Sequence, residues 1–132
     1  MHMKVYISGK IGEETPSPEI LAKFKVAEEL LATRGYDVFN PTTSGLGAHA
    51  ESLAKANGTT FYEEILLLDL EQLKHCQAIY MLDDWEESDG ANVEMDYAMA
   101  THKRMFWQDY EDAQLFLNDD NEKLEDVWLP IE

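Results

Sequence analysis

Three stretches of this chain carry polar side chains of the kinds that act in catalysis. Residues 6–11, Tyr-Ile-Ser-Gly-Lys-Ile, run from a β-rich apolar segment into a glycine turn. Asp69 lies in an otherwise apolar stretch, and residues 85–94 form a polar loop that ends in Glu94, near the start of a helix. Two carboxylates about 5 Å apart across a glycosidic bond permit a retaining mechanism with a covalent intermediate.

The elements that must position these residues alternate along the chain. The predicted strands cover residues 4–8, 36–39, 78–82 and 104–107, and the predicted helices cover residues 19–34, 60–75 and 91–102. Residues 42–58 are weakly patterned and are predicted to be a loop with one short helix, while residues 127–131 are expected to pack as an edge piece. The order predicts an α/β fold, a flavodoxin-like three-layer sandwich with a central parallel sheet of four to five strands.

The fold predicts where the polar residues meet. Ligands of such sheets bind beyond the carboxyl ends of the strands. The loops after the first, second and third strands are therefore the candidate binding loops. Asp69 precedes His75 by about 9 Å of helix rise, and the third strand then runs back by roughly 16 Å. Asp69 is therefore expected to face Glu94 at this edge of the sheet.

Composition and charge exclude several function classes. The net charge of −17 argues against binding nucleic acid or an anionic membrane, because both need clustered Lys and Arg. No apolar run approaches the roughly 18 residues that span a bilayer, and the single Cys76 fits a cytoplasmic protein. The chain is interpreted as one domain of 132 residues, with a core at 3–107 and an acidic carboxyl-terminal segment at 108–132.

The motifs taken together resemble a known family. Strand-Tyr-x-x-Gly, then Asp-Leu-x-x-Leu before a strand, then Ser-x-Gly-x-x-x-Glu opening a helix resemble the nucleoside 2-deoxyribosyltransferase superfamily. The likeness is greatest to its small DUF4406-type members, which share Tyr-Ile-Ser-Gly, Asn-Pro after the second strand and Trp-Glu-x-Ser-x-Gly-Ala-x-x-Glu, and it covers about residues 3–107. It implies cleavage or transfer of the N-glycosidic bond of a nucleoside or nucleoside 5′-monophosphate.

The resemblance also implies roles for individual residues. Glu94 falls on the nucleophile that attacks C1′ of the sugar, Asp69 on the aspartate that helps to protonate the departing base, and Tyr6 on the tyrosine that holds the nucleophile. Glycines at the two loops let the backbone approach the ligand closely. The substrate-binding residues implied in this way are Gly9, Lys10, Ile11, Asp84, Trp85, Ser88 and Gly90.

Two of these positions leave alternatives open. Ser88 is typical of members that act on 5′-monophosphates, because a hydroxyl can donate to phosphate beside a helix N-terminus, whereas an acidic residue is typical of members that act on nucleosides. Ser88 therefore favours a 5′-monophosphate as the substrate, although neighbouring Glu86, Glu87 and Asp89 would repel a phosphate. Trp85 is either an exposed loop residue that stacks on a base or a hydrophobic lid on the core.

Cofactors are not expected. The histidines lack metal-ligand spacing, and the chain has neither a phosphate-binding loop nor a dinucleotide fingerprint. The implied partner is a small-molecule nucleoside or nucleotide, and the resemblance implies a homo-oligomer. Two rival interpretations are a module that binds a nucleotide-like ligand without turnover and an interaction protein whose acidic segment docks a basic partner.

Overall fold

The computed structural model describes residues 3–12, 15–117 and 122–131. Four strands and six α-helices alternate within these residues. The strands are β1 (Lys4–Ser8), β2 (Asp37–Phe39), β3 (Ala78–Met81) and β4 (Arg104–Trp107). The helices are α1 (Pro18–Thr33), α2 (Leu46–Asn57), α3 (Phe61–Lys74), α4 (Asp89–Ala100), α5 (Tyr110–Leu115) and α6 (Leu124–Val127).

The sheet is parallel throughout, in the order β2-β1-β3-β4. Its register pairs Tyr6 with both Phe39 and Ile79, so β1 and β3 form the centre of the sheet. Helices cover both faces, because parallel neighbours require crossover connections. The predicted flavodoxin-like three-layer fold is confirmed, with four strands.

Two hydrophobic cores lie on the two faces of the sheet, as the alternation of side chains along a strand requires. Val5 and Ile7 of β1 pack with Phe24 and Leu31 of α1 on one face. Tyr6 points to the other face, into the core that α3 and α4 cover. Helix α4 reaches this core through a stripe at helical spacing that consists of Ala91, Glu94, Met95 and Ala98. One member of this stripe is a carboxylate.

The segment between β2 and α3 is more regular than its pattern predicts. Helix α2 has 12 residues, where a loop with one short helix was expected. Gly45 and Gly58 adopt left-handed conformations at its two ends, with φ of 79° and 67°. Helix α2 fully buries only Ala50, and its two leucines, Leu46 and Leu53, are partly buried, so its apolar stripe is short.

The acidic carboxyl-terminal segment packs against the core where it is described. The Phe116 ring stacks on Trp107 with centroids 4.7 Å apart, and the buried Tyr80 hydroxyl donates to the carbonyl of Leu129 at 2.5 Å. Trp128 forms a single parallel bridge with Trp107, at the position where a fifth strand would lie. The edge piece expected at residues 127–131 is thus a single bridge that follows α6. Residues 118–121 and 132 of the acidic segment lie outside the described residues.

Candidate active site

A cavity of about 770 Å³ opens at the carboxyl edge of the sheet. It lies where β1 and β3 are neighbours in a flavodoxin-like order, the place where such sheets bind ligands. The loop after β1, the first turns of α2, the amino-terminal half of α3 and the start of α4 enclose it. The chemically active side chains that line it are Lys10, Asp69, Glu87, Ser88, Asp89 and Glu94.

Glu94 lies in the second turn of α4 and is only 7% exposed. Its carboxylate accepts two hydrogen bonds from β1, one at Oε2 from the Tyr6 hydroxyl (2.6 Å) and one at Oε1 from the Ser8 hydroxyl (2.7 Å). Hydrogen bonds to an ionised acceptor are among the stronger ones in proteins. The two donors therefore hold the carboxylate in one orientation, with its side chain exposed to the cavity.

Tyr6 and Ser8 meet the same carboxylate because they are two residues apart on one strand and share a face. Neither residue lines the cavity, and their exposed fractions are 0% and 1%. The Tyr6 ring stacks on Phe39 with centroids 5.2 Å apart, which fixes the position of its hydroxyl. The role expected for Tyr6, holding Glu94, fits this contact. Ser8 was not singled out from the sequence, although the period of two that places Tyr6 also places Ser8.

Asp69 is the second carboxylate of the cavity. It lies on α3, is 7% exposed, and its Oδ1 has no hydrogen-bond partner among the described residues. Burial and the nearby Glu94 charge raise the pKa of Asp69 to about 8. A buried carboxyl without a donor is more stable when protonated, because an ionised group there would lose its hydration.

Glu94 titrates below Asp69 although it is at least as buried. Burial raises the pKa of Glu94 to about 7, while the hydrogen bonds from Tyr6 and Ser8 lower it. The hydrogen bonds from Tyr6 and Ser8 therefore favour ionisation of Glu94 before that of Asp69. Different surroundings thus make one carboxyl an acid and the other an anion, a division of roles that glycosidases use.

Five of the seven predicted binding residues line the cavity. These are Gly9, Lys10, Ile11, Ser88 and Gly90. Asp84 does not line it, but contacts the loop from behind. Its carboxylate accepts a hydrogen bond from the Lys10 backbone N–H at 3.1 Å and forms an ion pair with Lys23. Asp84 therefore supports the shape of the loop after β1.

The expectation of an exposed Trp85 is wrong. Its side chain is 6% exposed, does not line the cavity and packs edge-on against Trp107 and Phe116. The indole N–H donates to Asp112 at 3.0 Å. The alternative interpretation, a lid on the hydrophobic core, describes this residue. The hydrogen-bond acceptor Asp112 and the two ring partners are distant from Trp85 in sequence, so the local pattern does not reveal them.

Ser88 and Asn92 shape the loop that precedes Glu94. The Ser88 side chain caps α4 by accepting a hydrogen bond from the Ala91 N–H at 3.1 Å. The Asn92 amide donates to the carbonyl oxygens of Trp85, Glu86 and Ser88, at 3.3, 3.3 and 2.8 Å. The start of the helix is thereby tied to the loop.

Tyr62 is a cavity residue that sequence reasoning missed. It lies in the first turn of α3, lines the cavity and is 50% exposed. Burial, followed by the charges of Asp89 and Glu94, raises the pKa of its hydroxyl. No local signal distinguishes it from other surface tyrosines, because its proximity to Glu94 depends on how α3 and α4 pack.

Gly9 is expected to be required for the close packing of the loop after β1. A Cβ there would lie 2.6 Å from Leu82 Cδ1 and 2.9 Å from Leu82 Cβ, whereas a Cβ at Gly47 in α2 would meet nothing within 4 Å. Gly9→Ala should therefore lower the free energy of unfolding by about 1–3 kcal/mol. Gly47→Ala, the matched control, should raise it by roughly 0.5–1 kcal/mol. Urea denaturation measures both, and equal effects would contradict the steric explanation.

The charge of the cavity is mainly negative. Of its described lining residues, Asp69, Glu87, Asp89 and Glu94 are acidic and Lys10 alone is basic. The Lys10 ammonium is paired with Glu87 at 3.3 Å. Within the described ranges no group of three or more His, Cys, Asp or Glu side chains is arranged to hold a metal ion. No helix in the same ranges combines the length and apolar character needed to cross a membrane.

Comparison with known proteins identifies a family for most of the chain. The family described as a domain of unknown function, DUF4406, matches residues 3–107. This range contains Tyr6, Ser8, Asp69 and Glu94, while α5 and α6 follow it. No curated protein matches the chain.

Proposed function

This chain belongs to the DUF4406 family, and we propose that its site breaks or exchanges the N-glycosidic bond of a nucleoside through a covalent intermediate on Glu94. The observation that carries the proposal is the pair of buried carboxyls in one cavity, Glu94 with two hydrogen-bond donors and Asp69 with an Oδ1 that no described residue contacts by a hydrogen bond. The resemblance of the motifs to the nucleoside 2-deoxyribosyltransferase superfamily supports the same reaction class.

In the first half of the reaction, a Glu94 oxygen attacks C1′ of the sugar. The C1′–N bond breaks, its electron pair goes to the base, and the base takes the proton of Asp69. This division of work follows from the hydrogen bonds of Tyr6 and Ser8, which favour an ionised Glu94, and from the burial of Asp69, which favours its protonated form. A general acid must enter the reaction protonated and a nucleophile ionised.

In the second half, a water molecule or a second base attacks C1′ from the side that the departed base has left. The bond between C1′ and Glu94 breaks with its electron pair returning to the carboxylate, and ionised Asp69 takes the proton of the attacking group. Water as the acceptor makes the reaction a hydrolysis, and a base makes it a transfer. The two outcomes are separated by adding a second free base to the reaction.

The charge of the cavity favours an uncharged nucleoside over a nucleoside 5′-monophosphate. The carboxylates of Glu87, Asp89 and Glu94 oppose a phosphate, and Lys10 is paired with Glu87. The Ser88 hydroxyl, which fits a phosphate in the resemblance, accepts a backbone N–H as a helix cap here. We therefore expect 2′-deoxyadenosine to be cleaved with a kcat/KM at least about tenfold above that of its 5′-monophosphate, as one unfavourable charge contact would cause.

Chromatography of free base tests this proposal. The wild-type protein is incubated with a panel of ribonucleosides, 2′-deoxynucleosides and their 5′-monophosphates, with and without a second base. Release of base from a nucleoside supports the proposal, and preference for a monophosphate would contradict the role given to cavity charge. If calorimetry shows tight binding of a nucleoside and mass spectrometry detects no product, the protein is a binding module and the proposed reaction is wrong.

A further inference from the structure

The second hydroxyl that donates to Glu94 belongs to Ser8, and the proposed reaction assigns no step to this residue. Its Oγ lies 2.7 Å from Oε1, while Tyr6 occupies Oε2. Both donors are buried and neither residue lines the cavity. They therefore contact the carboxylate from the side of the sheet, and a ligand in the cavity does not compete with them.

We propose that Ser8 is a positioning residue that fixes Oε1 of Glu94 and helps this carboxylate to leave when the glycosyl-enzyme breaks down. The proposal rests on the proposed function, because it concerns the second half of that reaction. The role proposed for Ser8 differs from substrate binding, because Ser8 is 1% exposed and contacts Glu94 from the side of the sheet.

The physical reason is a change of charge at the acceptor. In the free enzyme the Glu94 oxygens share a full negative charge, but in the ester with C1′ that charge is absent. A hydrogen bond to a charged acceptor is about twice as strong as one to a neutral acceptor. The Ser8 bond therefore stabilises the carboxylate more than the ester, which slows formation of the intermediate and accelerates its breakdown.

The step that Ser8 assists is balanced within the site. The bond between C1′ and the Glu94 oxygen breaks, and its electron pair returns to the carboxylate. The oxygen of water forms the new bond to C1′, and the proton of that water goes to ionised Asp69. As negative charge returns to Glu94, the hydrogen bonds from Ser8 and Tyr6 become stronger.

Ser8→Ala tests the role in breakdown directly. With 2′-deoxyadenosine, or whichever nucleoside of the panel is cleaved fastest, acid quenching and intact-protein mass spectrometry measure the fraction of glycosyl-enzyme. We expect that fraction relative to free enzyme to rise about five- to tenfold in Ser8→Ala, in line with the lost charged hydrogen bond. Ser8→Cys, a weaker donor of similar size, should lie between Ser8→Ala and the wild type.

Thr101→Ala is the matched control, because it removes a hydroxyl at the other end of α4, where Thr101 donates to the Tyr97 carbonyl. It should leave the glycosyl-enzyme fraction unchanged. A purely structural role of Ser8 would lower base release without accumulation of the intermediate. That result, in a variant with wild-type circular dichroism, would overturn the proposal.

A second measurement needs no substrate and separates failure of this inference from failure of the proposed function. Carbon-13 NMR of the Glu94 side-chain carboxyl measures its titration. The other titratable groups that face this carboxyl are Tyr6 on β1 and Asp69 and Tyr62 on α3. Loss of the Ser8 donor should raise the pKa of Glu94, because this hydrogen bond lowers it. If the titration of Glu94 is unchanged in Ser8→Ala, the inference about Ser8 is wrong. If the wild-type protein releases no base from any nucleoside, the proposed function is wrong, and the role of Ser8 in breakdown of the intermediate fails with it.

Discussion

Glu94→Gln is expected to abolish release of base while the protein stays folded. An amide is not nucleophilic, so the covalent route closes, and the rate should fall by about 10⁴-fold or more, as when a nucleophile is removed from other enzymes with covalent intermediates. The amide can still accept one hydrogen bond from Tyr6 or Ser8 and donate to the other, so the buried polar contacts persist. Chromatography of free base measures the loss.

Glu71→Gln is the control for this variant, since Glu71 is an exposed glutamate of α3 that pairs with His75 and does not line the cavity. It should retain wild-type turnover. A complementary test uses Glu94→Ala with sodium azide, which can occupy the space of the missing carboxylate and attack C1′ itself. A glycosyl azide among the products would identify the position of the nucleophile, whereas full activity of Glu94→Gln would remove this residue from the mechanism.

Asp69→Asn is expected to slow base release by about 10²- to 10³-fold, the usual contribution of a general acid. Asn has no transferable proton, so the departing base must leave as an anion. In the first turnover, measured as the burst of base after rapid quenching, the loss should be much smaller for 7-methyl-2′-deoxyguanosine, because its cationic base leaves without protonation. Equal losses for both substrates would contradict the role of Asp69 as the acid.

The pH profile of the wild type follows from the same two groups. Activity needs ionised Glu94 and protonated Asp69, so kcat/KM should rise through pH about 7 and fall through pH about 8. In Asp69→Asn the fall at high pH should disappear. Asp109→Asn is a suitable control, because Asp109 caps α5 outside the cavity and has no part in the proton transfer.

Asp69 should also make the stability of the wild type depend on pH. Its pKa is raised from 3.8 to about 8 in the folded protein, so the fold retains a proton that the unfolded chain releases. The stability due to this proton is complete below about pH 4 and is lost as the pH rises to about 8. Asp69→Asn should therefore exceed the wild type in unfolding free energy at pH 9, by on the order of 2 kcal/mol, as measured with urea. A less stable variant at pH 9 would show that burial does not penalise the Asp69 charge.

Much of the architecture was predictable because it depends on local signals. Short apolar runs closed by Gly9 or Pro41 indicate strands, and the periodic stripe before Gly35 indicates α1. A short helix was expected between residues 42 and 58, but the 12-residue extent of α2 was not, because the helix fully buries one alanine and left-handed glycines mark its two ends. Trp85 was misplaced for a different reason: its partners Trp107, Asp112 and Phe116 follow it by 22 to 31 positions.

The sequence by itself determined that Tyr6 lies on a strand and that Asp69 and Glu94 lie on helices next to the third strand, because residue type, strand period and helix period are local properties. Only the tertiary structure decided that two hydroxyls of β1 hold Glu94, while Oδ1 of Asp69 finds no donor in the part of the chain that the structure describes. The difference between the two carboxyls depends on burial and on contacts between residues up to 88 positions apart. Such contacts are set by how α3 and α4 pack on the sheet, and no local pattern along the chain encodes them.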